Sequence, residues 1–175
     1  DDLTEVLYDR VPVERVEPMN DRQYYVRGCT ALLDALGGAI HHIANVHKYA
    51  RPEDIPEKTL FIITTDGMEN SSRRYTYGRV KDMGEHEKEK YGWEFLFLGA
   101  NIDAIDVAGR FGICADRALN YECDSIGTAL NYQVLSDTIS AVRRSESRAD
   151  MDDAIFCCSA PIREDYARRH RGGKA

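Results

Sequence analysis

Two short segments carry oxygen-bearing side chains that a divalent cation could bind. Segment 28–30 offers the hydroxyl of Thr30, and segment 64–67 offers the carboxylate of Asp66. Hard cations such as Mg²⁺ prefer carboxylate, hydroxyl and water oxygens as ligands. The two segments therefore predict a cation site, provided that the fold brings them together.

The sequence around these segments places both at one edge of a parallel sheet. Apolar residues recur with helical spacing after Thr30, which predicts a helix over about 30–48 with Thr30 as its N-cap. Residues 59–65 form a β-branched apolar run, typical of a strand buried on both faces, and Asp66 follows its end. Ligands of open α/β sheets bind outside the carboxyl ends of the strands. We therefore expect Asp66 at the functional edge.

The order of these motifs resembles that of a von Willebrand factor A-type (vWA) domain. Gly28 to Ala35 follows the pattern Gly-x-Thr-x-Leu-x-Asp-Ala, and an apolar strand then runs into Thr-Asp-Gly-x-Glu-Asn at Thr65 to Asn70. Segment 91–104 is similar to one found in small intracellular bacterial and phage members of this group. The resemblance covers roughly residues 3–142, and it implies a Rossmann-like, doubly wound α/β fold with a mostly parallel sheet and helices on both faces.

The resemblance also implies a set of ligands and a use for the metal. Thr30 Oγ and Asp66 would bind Mg²⁺ or Mn²⁺, directly or through water. Asp34 would hold the ligand residues in place without binding the metal itself, or would simply start the helix. In the family an Asp or Glu of a protein partner completes the coordination sphere. The family's Asp-x-Ser-x-Ser loop, which ends the first, central strand and supplies most ligands, occurs nowhere in residues 1–175. We therefore expect that strand to be missing and metal binding to be weak or absent in this chain.

Further polar residues fall near the same predicted edge. Gly67 and Asn70 continue the loop after Asp66, and Asn101 follows the next predicted strand, so all three are expected at the rim of the site. Asn70 could orient the loop, or it could simply be one of the polar residues that are common in loops. Asp103 either lines the rim or starts a helix.

The favoured function is a protein-interaction module that performs no catalysis. Two alternatives remain open. One is a metal-dependent hydrolase on the same architecture, in which Asp66 holds a cation that polarises a phosphoryl or acyl group. The other is an interaction domain that uses the same edge without metal. The hydrolase is the weaker alternative because the sequence contains no Gly-x-Ser-x-Gly motif and no phosphate-binding Gly-rich loop.

Composition agrees with an ordinary globular protein. The 175 residues are 43% hydrophobic and 30% charged, and the formal net charge of −7 argues against a nucleic-acid partner, because attraction to phosphates dominates such binding. The apolar runs are far shorter than the roughly 20 residues of a membrane-spanning helix. Five cysteines without a recognisable spacing indicate reduced thiols, and hence a cytoplasmic protein.

The predicted elements indicate a single α/β domain over residues 1–147, which we expect to lack its N-terminal strand. Residues 3–16 predict one arm of an edge hairpin, with a strand over 4–9. Further elements are predicted at 75–91 (helix), 93–98 (strand), after 101 (short helix), 117–121 (short strand) and from Ser125, as N-cap, to about 142 (helix). Residues 148–175 predict a weakly ordered tail whose basic end, 168–174, is solvated rather than bound to nucleic acid.

Overall fold

A small parallel sheet organises the fold. The structure is a computed structural model that describes residues 5–20, 22–23 and 28–171. Its sheet has three strands, β1 (Leu60–Thr65), β2 (Glu94–Gly99) and β3 (Ala118–Asn120), in the order β1-β2-β3. Both neighbouring pairs are parallel. The carboxyl ends of all three strands therefore lie at the same edge.

Helices precede, connect and follow the strands. They are α1 (Leu32–Tyr49), α2 (Tyr77–Tyr91), α3 (Ala104–Arg110), α4 (Ser125–Arg144), α5 (Arg148–Cys158) and α6 (Ala160–His170). Short 3-10 turns occur at Val13–Arg15, Pro52–Asp54 and Ala115–Arg117. Within the described ranges, no helix is long and apolar enough to cross a membrane.

Most of the predicted strands and helices are confirmed, with small shifts at their ends. The prediction for α2 is close because Thr76 caps its start, accepting from Arg79 N at 3.3 Å, and Gly92 ends it at φ 69°. The predicted cap of α4 is wrong by one residue. Asp124 is the N-cap and accepts from Gly127 N at 2.7 Å, whereas Ser125 is the first helical residue.

Alternating residues of the sheet bury two separate apolar cores. Phe95 and Phe97 of β2 pack with residues of α1, α2 and α3. Leu96 and Leu98 of the same strand pack with residues of α4, α5 and α6. All six residues of β2 are buried, as expected for a central strand covered on both faces. The mixed α/β class and the helices on both faces of the sheet are thus present in the described part of the chain.

Most of the segment predicted as a weakly ordered tail forms α5 and α6 instead, and its last residues, 172–175, lie outside the described residues. Ile155 of α5 and Ile162 of α6 are almost fully buried in the second core. Arg148 of α5 also donates to Glu94, a buried carboxylate that Arg117 Nε contacts at 3.3 Å. The prediction failed because the apolar residues of this segment are sparse, whereas its order depends on burial against α4 and on pairing with a buried charge.

The predicted strand at 4–9 is not formed by the residues that the structure describes, 5–9, and Thr4 lies outside them. Instead, Asp9 Oδ1 contacts Nε2 of His42 in α1 at 2.9 Å. Pro12 precedes the 3-10 turn and cannot donate to a strand ladder. The described residues of the predicted hairpin arm, 5–16, thus contain no strand, and the prediction is wrong there.

Candidate functional site

Thr30 is held against the loop that follows β1. Its backbone N–H donates to Asn70 Oδ1 at 2.8 Å, and its carbonyl oxygen accepts from Asn70 N at 3.0 Å and from Ser71 N at 3.3 Å. The predicted N-cap role of Thr30 is wrong, because Ala31 occupies the cap position and its own side chain makes no capping hydrogen bond. Asn70 instead fixes Thr30 by binding both its backbone N–H and its backbone carbonyl oxygen.

The hydroxyl of Thr30 lies beside Gly67. A β-carbon built on Gly67 would be 3.6 Å from Thr30 Oγ1. The turn after β1 is stabilised by Thr65 Oγ1, which donates to the carbonyl oxygen of Gly67 at 2.9 Å. The structure thus brings the predicted ligand Thr30 next to the residue that follows the predicted ligand Asp66.

Asp66 is exposed at the carboxyl end of β1, as predicted. Its backbone carbonyl accepts from Asn101 Nδ2 at 3.4 Å, which places Asn101 at the rim of the same edge. Asn101 has a left-handed backbone, φ 58°, at the end of β2. This conformation is one that asparagine tolerates better than most residues, and it lets the chain turn back toward the loop of Asp66.

Tyr121, just after β3, extends this edge. Burial raises the pKa of Tyr121 to about 12, and Cys123 and then the negative charge of Asp66 add to the rise. Asp66 is therefore close enough for its charge to act on the phenol. The sequence pattern does not single out this residue, because a tyrosine after a three-residue strand has no distinguishing feature.

Asp34 is committed to positioning the loop that leads into α2. Its carboxylate accepts from the backbone N–H groups of Arg73 at 2.9 Å, Arg74 at 2.8 Å and Tyr75 at 2.9 Å. Burial works to raise the pKa of Asp34, but these three hydrogen bonds outweigh it and lower the pKa below its ordinary value of 3.8. Asp34 lies in the first turn of α1, as predicted, and its hydrogen bonds hold residues 73–75 against that turn.

Glu69 performs the capping role that the sequence assigned to Thr30. Its Oε2 accepts from Leu33 N, in the first turn of α1, at 2.9 Å. Its Oε1 accepts from Ser71 N at 3.0 Å and Ser72 N at 2.7 Å, and Ser72 Oγ donates to Oε2 at 2.8 Å. Burial works to raise the pKa of Glu69, but these hydrogen bonds lower it below 4.5. Glu69 thereby ties the loop of Asp66 to the start of α1.

Asp103 starts α3, which decides between its two predicted roles. Its Oδ1 accepts from Ile105 N and from Asp106 N, each at 3.1 Å. An N-cap carboxylate typically accepts hydrogen bonds of this kind from the first turn of its helix. Asp103 consequently offers less to a ligand at the rim than Asp66 or Asn101.

The donors at this edge fit a hard cation only in part. Thr30 Oγ1 and the carboxylate of Asp66 accept no hydrogen bond from a described residue, whereas Asn70 Oδ1 is occupied by Thr30 N. In the described part of the chain, no three His, Cys, Asp or Glu residues are grouped so that they could hold a metal ion. Two oxygen donors leave most of an octahedral sphere to water or to further ligands.

The basic end of α6 is occupied by internal ion pairs. Arg169 contacts Asp124 at 2.6 Å and Asp165 at 2.7 Å, and Arg168 also pairs with Asp165. Residues 172–174 of the predicted basic cluster lie outside the described residues. Arg169 thus ties α6 to the N-cap of α4, whereas Arg168 pairs within α6.

No known protein family model, curated protein or solved structure matches this chain.

Proposed function

We propose that this chain is a protein-interaction module of the vWA type that uses a divalent cation and performs no catalysis. Thr30 Oγ1 and the carboxylate of Asp66 would hold Mg²⁺ or Mn²⁺ at the carboxyl edge of the sheet. The observation that supports this is the approach of Thr30 Oγ1 to Gly67. Two predicted oxygen ligands that are distant in sequence share one edge, and neither side chain accepts a hydrogen bond from a described residue.

The fuller architecture belongs to the same proposal. In a Rossmann-like, doubly wound sheet, β1 would be an interior strand, and a further strand beside it would end in the loop that supplies the remaining ligands. The packing of α1 on the same face as α2 and α3 supports this arrangement. A right-handed crossover from a strand before α1 into β1 would place that strand beyond the open edge of β1.

The role of the metal would be to join two proteins. Mg²⁺ takes about six oxygen ligands and retains several waters, so a site with few protein donors has open positions. A carboxylate from an Asp or Glu of a partner could replace one of those waters. The exposure of Asp66 and the position of Asn101 at the rim leave this edge accessible.

One observation favours a metal-independent interaction domain as the second candidate. The loop after Asp66 is already fixed by Asn70 and Glu69, which together accept or donate six hydrogen bonds. No ion is needed to hold this loop against α1. A surface that is ordered in this way could bind a partner through shape and polar contacts alone.

The test is Mn²⁺ binding by Thr30→Ala, Asp66→Ala and a control, Asp82→Ala. Asp82 is an exposed carboxylate on α2, so its loss removes the same charge away from the edge. We expect binding in the millimolar range, weakened by both site variants and unchanged in the control. Acetate, a surrogate for the partner's carboxylate, should tighten Mn²⁺ binding. Equal affinity in all four proteins would reject the metal and leave the metal-independent candidate.

A further inference from the structure

A row of three residues crosses the sheet just beyond its last strand positions. The last row in which all three strands pair consists of Thr65, Gly99 and Asn120. Two further backbone bonds extend this ladder. Ala100 N donates to the carbonyl oxygen of Thr65 at 2.9 Å. Tyr121 N donates to the carbonyl oxygen of Gly99 at 3.1 Å. The next row is therefore formed by Asp66, Ala100 and Tyr121.

This row lies on the face of the sheet that α4, α5 and α6 cover. Ala100 and Tyr121 belong to the same buried core as Leu98 of β2, since every second residue of a strand has its side chain on the same face. Asp66 has the matching position after β1, and its charge acts on the phenol of Tyr121. Neighbouring strands are about 4.8 Å apart, so the Cα atoms of Asp66 and Tyr121 are about 10 Å apart. Between these two residues the row carries the methyl group of Ala100.

The ring of Tyr121 is buried, whereas its hydroxyl lies near the surface. The residue as a whole is 7% exposed, but its hydroxyl hydrogen-bonds to the side chain of Cys123, which is exposed. A thiol is a weak hydrogen-bond partner, and a carboxylate oxygen is a much stronger acceptor for the phenol O–H. Burial, and then the neighbouring Cys123 and Asp66, raise the pKa of Tyr121 to about 12. The hydroxyl is therefore a hydrogen-bond donor at neutral pH.

We propose that Tyr121 is a second anchor for the carboxylate of the protein partner. One oxygen of that carboxylate binds the cation held by Thr30 and Asp66, and the other accepts a hydrogen bond from the Tyr121 hydroxyl. This inference rests on the proposed function and adds a residue that recognises the partner without binding the metal. A group with two acceptor oxygens uses both the open metal position and the donor. The acidic side chain of the partner thus approaches over Ala100, from the side of α4.

The test is Mn²⁺ titration of the native chain, Tyr121→Phe and Tyr49→Phe at a series of acetate concentrations. Phenylalanine keeps the buried ring of Tyr121 and removes only the hydroxyl. Tyr49, the exposed last residue of α1, provides the control for loss of a phenol elsewhere. We expect acetate to bind the Mn²⁺-loaded Tyr121→Phe protein about threefold to tenfold more weakly than the native chain and Tyr49→Phe. The effect should appear in the acetate dependence and not in the Mn²⁺ affinity measured without acetate.

Failure of this inference and failure of the proposed function give different results. Acetate that tightens Mn²⁺ binding equally in all three proteins would overturn the role of Tyr121 and leave the metal site intact. A native chain that binds no Mn²⁺ would overturn both. Cys123→Ala, which removes the thiol beside the hydroxyl, should bind acetate at least as well as the native chain; a loss there would assign the donor to Cys123 and overturn the role of Tyr121. Melting temperatures establish that each variant folds.

Discussion

Glu69→Gln should destabilise the protein far more than its isosteric shape suggests. The carboxylate of Glu69 accepts four hydrogen bonds, at 2.9, 3.0, 2.7 and 2.8 Å, from Leu33 N, Ser71 N, Ser72 N and Ser72 Oγ. Glutamine has one acceptor oxygen, and its NH₂ group would face N–H donors. About two bonds to a charged acceptor are lost, each contributing roughly 1.5–3 kcal/mol. Because Glu69 is only half-buried, we expect a loss of about 2–4 kcal/mol in the free energy of unfolding.

The pH dependence gives this prediction a definite sign. The pKa of Glu69 is lowered by folding, so its contribution is present above its ordinary value of 4.5 and is lost as the pH falls through the folded pKa. Denaturant unfolding of native protein and variant between neutral pH and about pH 3 should therefore show a difference that shrinks below pH 4.5. Glu89→Gln, on the exposed surface of α2, is the matched control. A stability of Glu69→Gln equal to that of native protein at neutral pH would refute the capping role, and so would a pH-independent difference.

Two other perturbations address the surroundings of the site. Gly37→Ala should destabilise the protein by about 1–3 kcal/mol in thermal or denaturant unfolding, because its β-carbon would lie 2.5 Å from the ring of Tyr75. Gly38→Ala, with open space around the same helix, should be neutral or stabilising, and equal effects would contradict the packing argument. Asp66→Asn should lower the pKa of Tyr121 from about 12, as followed by NMR of labelled tyrosine rings. An unchanged pKa would show that the charge of Asp66 does not reach the phenol.

The main strands and helices were predictable because their signals are local. β1 and β2 are continuous apolar runs, and α1, α2 and α4 repeat apolar residues with helical spacing. The start of α5 also carried a readable signal, since Ser147 and Asp150 form a capping box. The prediction of a tail did not use this signal and rested on the sparse apolar residues of the segment. Burial of Ile155 and Ile162 against α4 depends on contacts that sequence spacing does not reveal.

The position of the candidate site was predictable from the sequence, but the hydrogen bonds that hold it together were less so. Asp66 follows β1 and Thr30 precedes α1, and both facts come from local patterns. The hydrogen bonds of Asn70 to Thr30 and of Glu69 to Leu33 join segments that only the fold brings together. Sequence reasoning therefore named Thr30 as the cap of α1, although a carboxylate from the neighbouring loop performs that role.

The most direct test of the central claim is line broadening by Mn²⁺ in NMR spectra of the labelled chain, which detects millimolar binding. A cation held by Thr30 and Asp66 should selectively broaden the amide signals of these residues, Gly67 and Asn101. Excess Mg²⁺ should reverse the broadening, and Asp66→Ala should abolish it. Broadening centred elsewhere, or unchanged by Asp66→Ala, would contradict the assignment of a divalent-cation site to this edge of the sheet.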